Sequence, residues 1–163
     1  MMRILGFLVL VCLFVLSACG SDPIKEDLMS YVNVELLEIS SIEREAIDSY
    51  SSVSGENYTD DWTMYETMDT ISIPTYESFV VKLESIRPQT KELREIHEIY
   101  IEGSNAQLQG FKMIRVALKL QSHDKVFEAN ELLDKGRTKI RQFQTELEDL
   151  MEAYNVEYEN EPL

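Results

Sequence analysis

At 163 residues the chain suits a single domain with one sizeable core. Six Gly and four Pro against 44% hydrophobic residues favour helices over a turn-rich β-sandwich and argue against disorder throughout. A formal charge of -15 excludes an extended nucleic-acid surface, and equally a hold on anionic headgroups, unless a local basic stripe exists.

The chain opens with Met1, Met2 and Arg3, then an apolar run over residues 4–16, then Ser17-Ala18-Cys19-Gly20-Ser21-Asp22. A bilayer span needs about 20 apolar residues, so an export signal fits better than a membrane helix. The tetrad Leu16-Ser17-Ala18-Cys19 resembles the lipobox of bacterial lipoproteins, and the resemblance covers the leader only. It implies a signal helix over 1–18 that is cleaved, and a diacylglyceryl group on the Cys19 thiol. Residues 19–22 then form the lipidated terminus and a short linker, and the protein is held at the extracytoplasmic face of the membrane. Two acyl chains at about 0.8 kcal/mol per buried methylene give stable anchoring. An ordinary secreted protein with a spare cysteine is the plainer reading of the same residues. Low Ala and Gly with plentiful Glu and Ile suit an AT-rich bacterium, and hence the outer face of a Gram-positive membrane. Cys12 would leave with the leader, so Cys19 alone excludes an intrachain disulfide and a multi-thiolate zinc site.

Asp22-Pro23 starts a helix as N-cap and first helical residue, with Glu26 and Asp27 in the favourable first turn. An apolar stripe from Ile24 through Leu28, Val32, Leu36, Ile39, Ile42, Ala46, Tyr50 and Val53 carries it to a stop at Gly55, a reach on the order of 48 Å. Residues 56–61 form a loop. A second helix begins near Thr59 or Asp60, with Trp62, Tyr65 and Met68 on its inner face, and Pro74 breaks or kinks it. Tyr76, Phe79, Leu83 and Ile86 resume the pattern up to Pro88.

Two further helices, over about 90–121 and from an Asp124 cap to Tyr154, carry core positions at alternating steps of three and four, the mark of left-handed supercoiling. Folding back around residues 122–124 pairs Ile96 with Leu150, Tyr100 with Leu147, Gly103 with Phe143, Gly110 with Gly136 and Ala117 with Ala129. Glycine costs a helix interior about 1 kcal/mol relative to alanine. Gly103, Gly110 and Gly136, with Ala117 and Ala129, therefore read as close-packing positions. The expected fold is all-α: an antiparallel up-down-up-down four-helix bundle over 23–154, its second helix broken near Pro74, with a flexible acidic tail over 155–163.

No catalytic or metal-binding pattern appears. His97 has Arg94 at i-3 and Ile101 at i+4, so neither the Glu-x-x-His of di-metal bundles nor a His-Glu-x-x-His is completed, and it reads as a flank residue bonded to a neighbouring helix. Glu43 and Glu45 read as surface acids. Gln107 and Gln121 interrupt the seam and read as register-fixing amides. No cofactor is implied. The surface candidate is Tyr58, Asp60, Asp61, Trp62 and Tyr65, where aromatic contact area sits beside acids that would steer a basic partner. The competing reading is that Trp62 and Tyr65 only plug the open end of the bundle. The leading expectation is a non-enzymatic lipoprotein that binds an envelope or extracellular protein or acts as a spacer. A protective lipoprotein that blocks a toxin, phage or wall-active enzyme is the second. A small-ligand receptor or enzyme with a pocket between helices is the third.

Overall fold

The structure is a computed structural model and describes residues 22–159. The leader over 1–18, Cys19 with its linker up to Ser21, and the last four residues of the expected tail lie outside that range. The chain is all-helical, with four long helical segments and no strand among the described residues. No helix among them is long and apolar enough to cross a membrane.

The first segment joins α1 (Pro23–Ser30), a π-turn (Tyr31–Glu35) and α2 (Leu36–Ser51). Asp22 caps it, its carboxylate accepting from the Ile24 N–H at 2.9 Å, with Pro23 in the first turn. A π-turn admits one extra residue per turn, and here it turns both Tyr31 and Val32 into the core. The Asp27 carboxylate, rather than only favouring its own helix, accepts from the backbone N–H groups of Gln89 and Thr90 at 3.0 and 2.7 Å. It therefore caps the start of α5 (Lys91–Leu120) from another segment, and Thr90 itself supplies no side-chain cap.

After a short 3-10 turn (Gly55–Asn57), the second segment joins α3 (Asp61–Thr67), a second π-turn (Met68–Ser72) and α4 (Ile73–Leu83). The expected break at Pro74 is absent. Ile73 keeps helical angles and donates to the Met68 carbonyl, a wider turn that relieves the clash between the proline ring and the preceding carbonyl. The inner face is Met64 and Met68, one α-turn apart, while Trp62 points outward. The expectation that Trp62 lies on the inner face is corrected accordingly.

α5 and α6 (His123–Tyr154) form the most extensive pairing. Gln121 takes a left-handed conformation at φ 52°, and the Ser122 N–H donates back to the Ala117 carbonyl at 3.1 Å. Ser122, not Asp124, then caps α6 by accepting from the Lys125 N–H. The reversal thus takes two residues and lies nearer the amino end than 122–124. Moving its centre by one to two residues displaces every partner by about three, close to one helical turn. Tyr100 accordingly stacks on Phe143, Lys139 pairs with Glu102 at 2.7 Å, and Gly110 lies over Leu133 rather than Gly136.

The close approach is real at all three glycines. A Cβ on Gly103 would come within 2.9 Å of Ile140, and one on Gly110 within 2.6 Å of Leu133. One on Gly136 would meet backbone: Gln107 N at 3.0 Å and Gly103 O at 3.1 Å. Ala117 and Ala129 are buried in the same seam. Asn155, also left-handed, ends α6, and the Val156 N–H donates to the Met151 carbonyl. The segment Asn155–Glu159 is then laid against α1 and the first π-turn rather than trailing free. Val156 is buried, Lys25 donates to the Asn155 carbonyl, and Asn33 accepts from the Glu159 N–H at 2.8 Å.

Candidate functional site

Two sites emerge, one expected and one not. The expected one lies where α3 begins beside the end of α5. Asp60 caps α3, accepting from the Thr63 N–H at 2.9 Å and the Thr63 hydroxyl at 2.8 Å. Asp61 accepts from the Tyr58 hydroxyl at 2.7 Å and from the Gln121 amide at 2.8 Å. The Thr63 bonds hold the Asp60 carboxyl below its ordinary range, and the Tyr58 hydroxyl with the Gln121 amide does the same for Asp61. The same Tyr58–Asp61 bond raises the Tyr58 hydroxyl. Both carboxylates are therefore ionised at neutral pH, and both are already spent on fixing the loop.

Onto this fixed turn the chain mounts its only tryptophan. Trp62 is 69% exposed and stacks on Tyr65, ring centroids 6.2 Å apart and planes 24° from parallel. The two rings, with Asp61, Leu118, Lys119 and Gln121, line an open cleft of about 420 Å³. Tyr58 is exposed as well, so the five expected residues do come together at one end. Leu120 and Phe127, at 62% and 65% exposure, add apolar surface at the same α5–α6 end, and neither was expected. The nearby cations are mostly engaged: Arg115 with Asp69, Lys112 with Glu77, Lys125 with Glu128.

The second site is a polar cluster inside the core, of which the sequence marked only His97, as a residue bonded to a neighbouring helix. The Tyr31 hydroxyl and His97 Nδ1 are 2.9 Å apart, edge-on rings packed between the first π-turn and α5. Burial lowers His97 to about 4. Three residues along α5, Tyr100 donates to Glu43 Oε2 at 2.6 Å. Burial raises the Glu43 carboxyl, an effect its bond from Tyr100 only partly offsets, and burial together with the Glu43 charge raises Tyr100. Tyr76 is buried next to Ser104. Glu43 is thus no surface acid. It opens onto a groove of about 140 Å³ between α2 and α6, two helices that scarcely approach each other.

No protein-family model, curated protein or solved structure matches the chain. The sites therefore stand on their own chemistry. Among the described residues no group of three or more His, Cys, Asp or Glu is arranged to hold a metal. The Glu43–Tyr100 pair could have been anticipated only from the fact that Glu43 falls next to Ile42 on the stripe of the first segment, a signal too weak to separate it from Glu45.

Proposed function

We propose that this chain is a lipid-anchored, non-enzymatic bundle on the extracytoplasmic side of a bacterial membrane that presents its Trp62–Tyr65 end to a protein of the envelope or its surroundings. The anchor is the lipobox-like tetrad ending at Cys19. The topology in this reading is up-down-up-down. Supporting it, partners on the second segment and α5 run in opposite order (Asp69 with Arg115, Glu84 with Asn105), while those on the first segment and α5 run in the same order (Tyr31 with His97, Tyr50 with Phe111).

One observation carries the reading: the sole tryptophan is exposed on a rigid, hydrogen-bonded turn instead of closing the core. Leaving Trp62 in water forgoes roughly 2 kcal/mol or more of burial, and Trp and Tyr dominate interface hot spots because they bring large contact area with few rotatable bonds. The contact between Lys25 and Asn155 puts the start of α1 and the end of α6 together, at the opposite end from Trp62. With 30 residues in α5, the separation is about 45 Å. A tether at one end and an aromatic platform at the other make a presenting arm, and the charge of -15 favours a basic partner.

Site-specific photocrosslinking from position 62 in living cells tests the partner, and mass spectrometry of Cys19 tests the anchor. The expected results are one dominant crosslinked protein that is lost in Tyr65→Ala, and a diacylated Cys19 as the first residue. Crosslinks no more specific from position 62 than from exposed Glu131 on α6 would remove the partner reading; an unacylated chain would remove the anchor.

A further inference from the structure

The groove at Glu43 is separate from the distal end and poses its own chemical question. Its floor is a carboxyl with no counter-charge: none of the ion pairs among the described residues includes Glu43. Its walls are mostly aromatic and aliphatic, with Asn33 and Ser40 as the other polar side chains. Tyr100 and Phe143 stack with centroids 4.2 Å apart and planes 9° from parallel, and Tyr158 of the docked tail completes the lining with Val32 and Leu36. An uncompensated carboxylate in low-polarity surroundings is costly, and burial accordingly raises the Glu43 carboxyl above its ordinary range.

The groove is also built by specific local devices. The first π-turn brings Val32 inward and leaves Asn33 to hold the tail, and the left-handed Asn155 turns the chain back so that Tyr158 reaches the groove. At about 140 Å³ the space is too small for a nucleotide or a drug-sized ligand, which occupy roughly 300–1,000 Å³. A compact cation suits it. Cations are drawn to aromatic ring faces, and the stacked Tyr100–Phe143 pair leaves at most one of its ring faces for the groove, beside the Tyr158 ring and the Glu43 carboxyl.

We propose that the groove between α2 and α6 binds a small organic ammonium ion, with Glu43 as counter-ion and Tyr100, Phe143 and Tyr158 as aromatic walls. The ion's methyl groups contact the rings and the aliphatic side chains, and its charge replaces the missing partner of the Glu43 carboxylate. Tyr100 positions that carboxylate through its 2.6 Å hydrogen bond.

The test is a titration of the full-length protein in maltoside micelles with choline, with tetramethylammonium, and with the neutral tert-butyl analogue of choline, followed by the methyl resonances of Val32 and Leu36. Saturable shifts with both cations are expected, with the neutral analogue at least tenfold weaker. Glu43→Gln, which keeps shape and can still accept from Tyr100, weakens cation binding about tenfold. Tyr158→Leu, at a partly exposed position, weakens it severalfold without loss of helical circular dichroism. A free solute and a lipid headgroup share this chemistry; shifts with choline alone assign a solute, and shifts also with phosphatidylcholine vesicles assign a headgroup. Equal binding of the neutral analogue, indifference to Glu43→Gln in a folded variant, or no saturable shift with either cation overturns the proposal.

Discussion

Replacing Gly136 by alanine separates tight packing of α6 on α5 from mere proximity, because the two effects of the added methyl have opposite signs. In a helix interior, Gly→Ala gains about 1 kcal/mol. At Gly136 the new Cβ would sit 3.0 Å from Gln107 N and 3.1 Å from Gly103 O. These are backbone atoms of a facing helix, which cannot rotate aside, so the overpacking cost falls at the upper end of about 1–3 kcal/mol. The net is a loss of about 2 kcal/mol, or about 6 °C in Tm for a domain of this size. Gly110→Ala is the companion. Its Cβ would sit 2.6 Å from Leu133 Cδ2, 2.8 Å from Leu133 Cγ and 3.3 Å from the Ala129 carbonyl oxygen, so the buried Leu133 side chain must repack and this variant too is destabilised, by about 1–3 kcal/mol. Equilibrium urea denaturation followed by helical circular dichroism measures both. A Gly136→Ala protein as stable as the parent, or more so, would show that the helices stand farther apart than this register requires.

Trp62 should behave as a solvated indole, with emission close to that of the unfolded chain and efficient acrylamide quenching in the folded state; Trp62→Ala should alter stability by less than about 0.5 kcal/mol. A blue-shifted, protected emission from the isolated protein would contradict the exposed placement. His97, lowered to about 4 in the fold, binds its proton more weakly than in the unfolded chain, so the unfolded state gains protons first as pH falls from about 6.5 towards 4. Stability contributed by neutral His97 is therefore present above that window and lost through it, by about 2–3 kcal/mol. Glu35 and Glu43, both raised by burial, act with the opposite sign, contributing below the ordinary carboxylate range and losing that contribution as pH rises. Denaturation of the parent and of His97→Gln across pH 4 to 7 isolates the histidine: the difference between them should shrink or reverse towards pH 4, and a constant difference would show that His97 does not titrate in this way.

The helical segments and most of their ends were legible because their signals are local. Asp22-Pro23, Asp60 and the three-and-four spacing of α5 and α6 each specify helix without reference to anything distant. The register between α5 and α6 was not legible from that spacing. A heptad seam shifted by one turn maps its core positions onto each other, so only the turn can choose between registers. The turn here is set by Gln121 in a left-handed conformation, a residue type that does not announce a helix stop as glycine does. The π-turns were hidden for a related reason. Leu28 and Val32 are an ordinary helical pair, and nothing in that pair says that Tyr31 is buried beside them. At the candidate sites, the aromatic and acidic composition of residues 58–65 was visible, but whether Trp62 faced in or out depended on which of two overlapping stripes, 62-65-68 or 64-68, the core would take. Glu43 was read as solvated because burial of a single acid is decided by the tyrosine opposite it, 57 positions away.

The meeting of Lys25 with the Asn155 carbonyl has a bearing on how the chain could be rewired. Entry and exit of the helical domain are neighbours, while the exposed loop between α2 and α3 lies at the other pole. A circular permutant joined by a short flexible bridge from Glu159 to Asp22, and opened near Gly55, would retain every interhelical contact described. Its new amino terminus would emerge beside Trp62. If the proposed lipid were attached there instead, the aromatic pair would face the membrane and the Glu43 groove would lie on the side away from it.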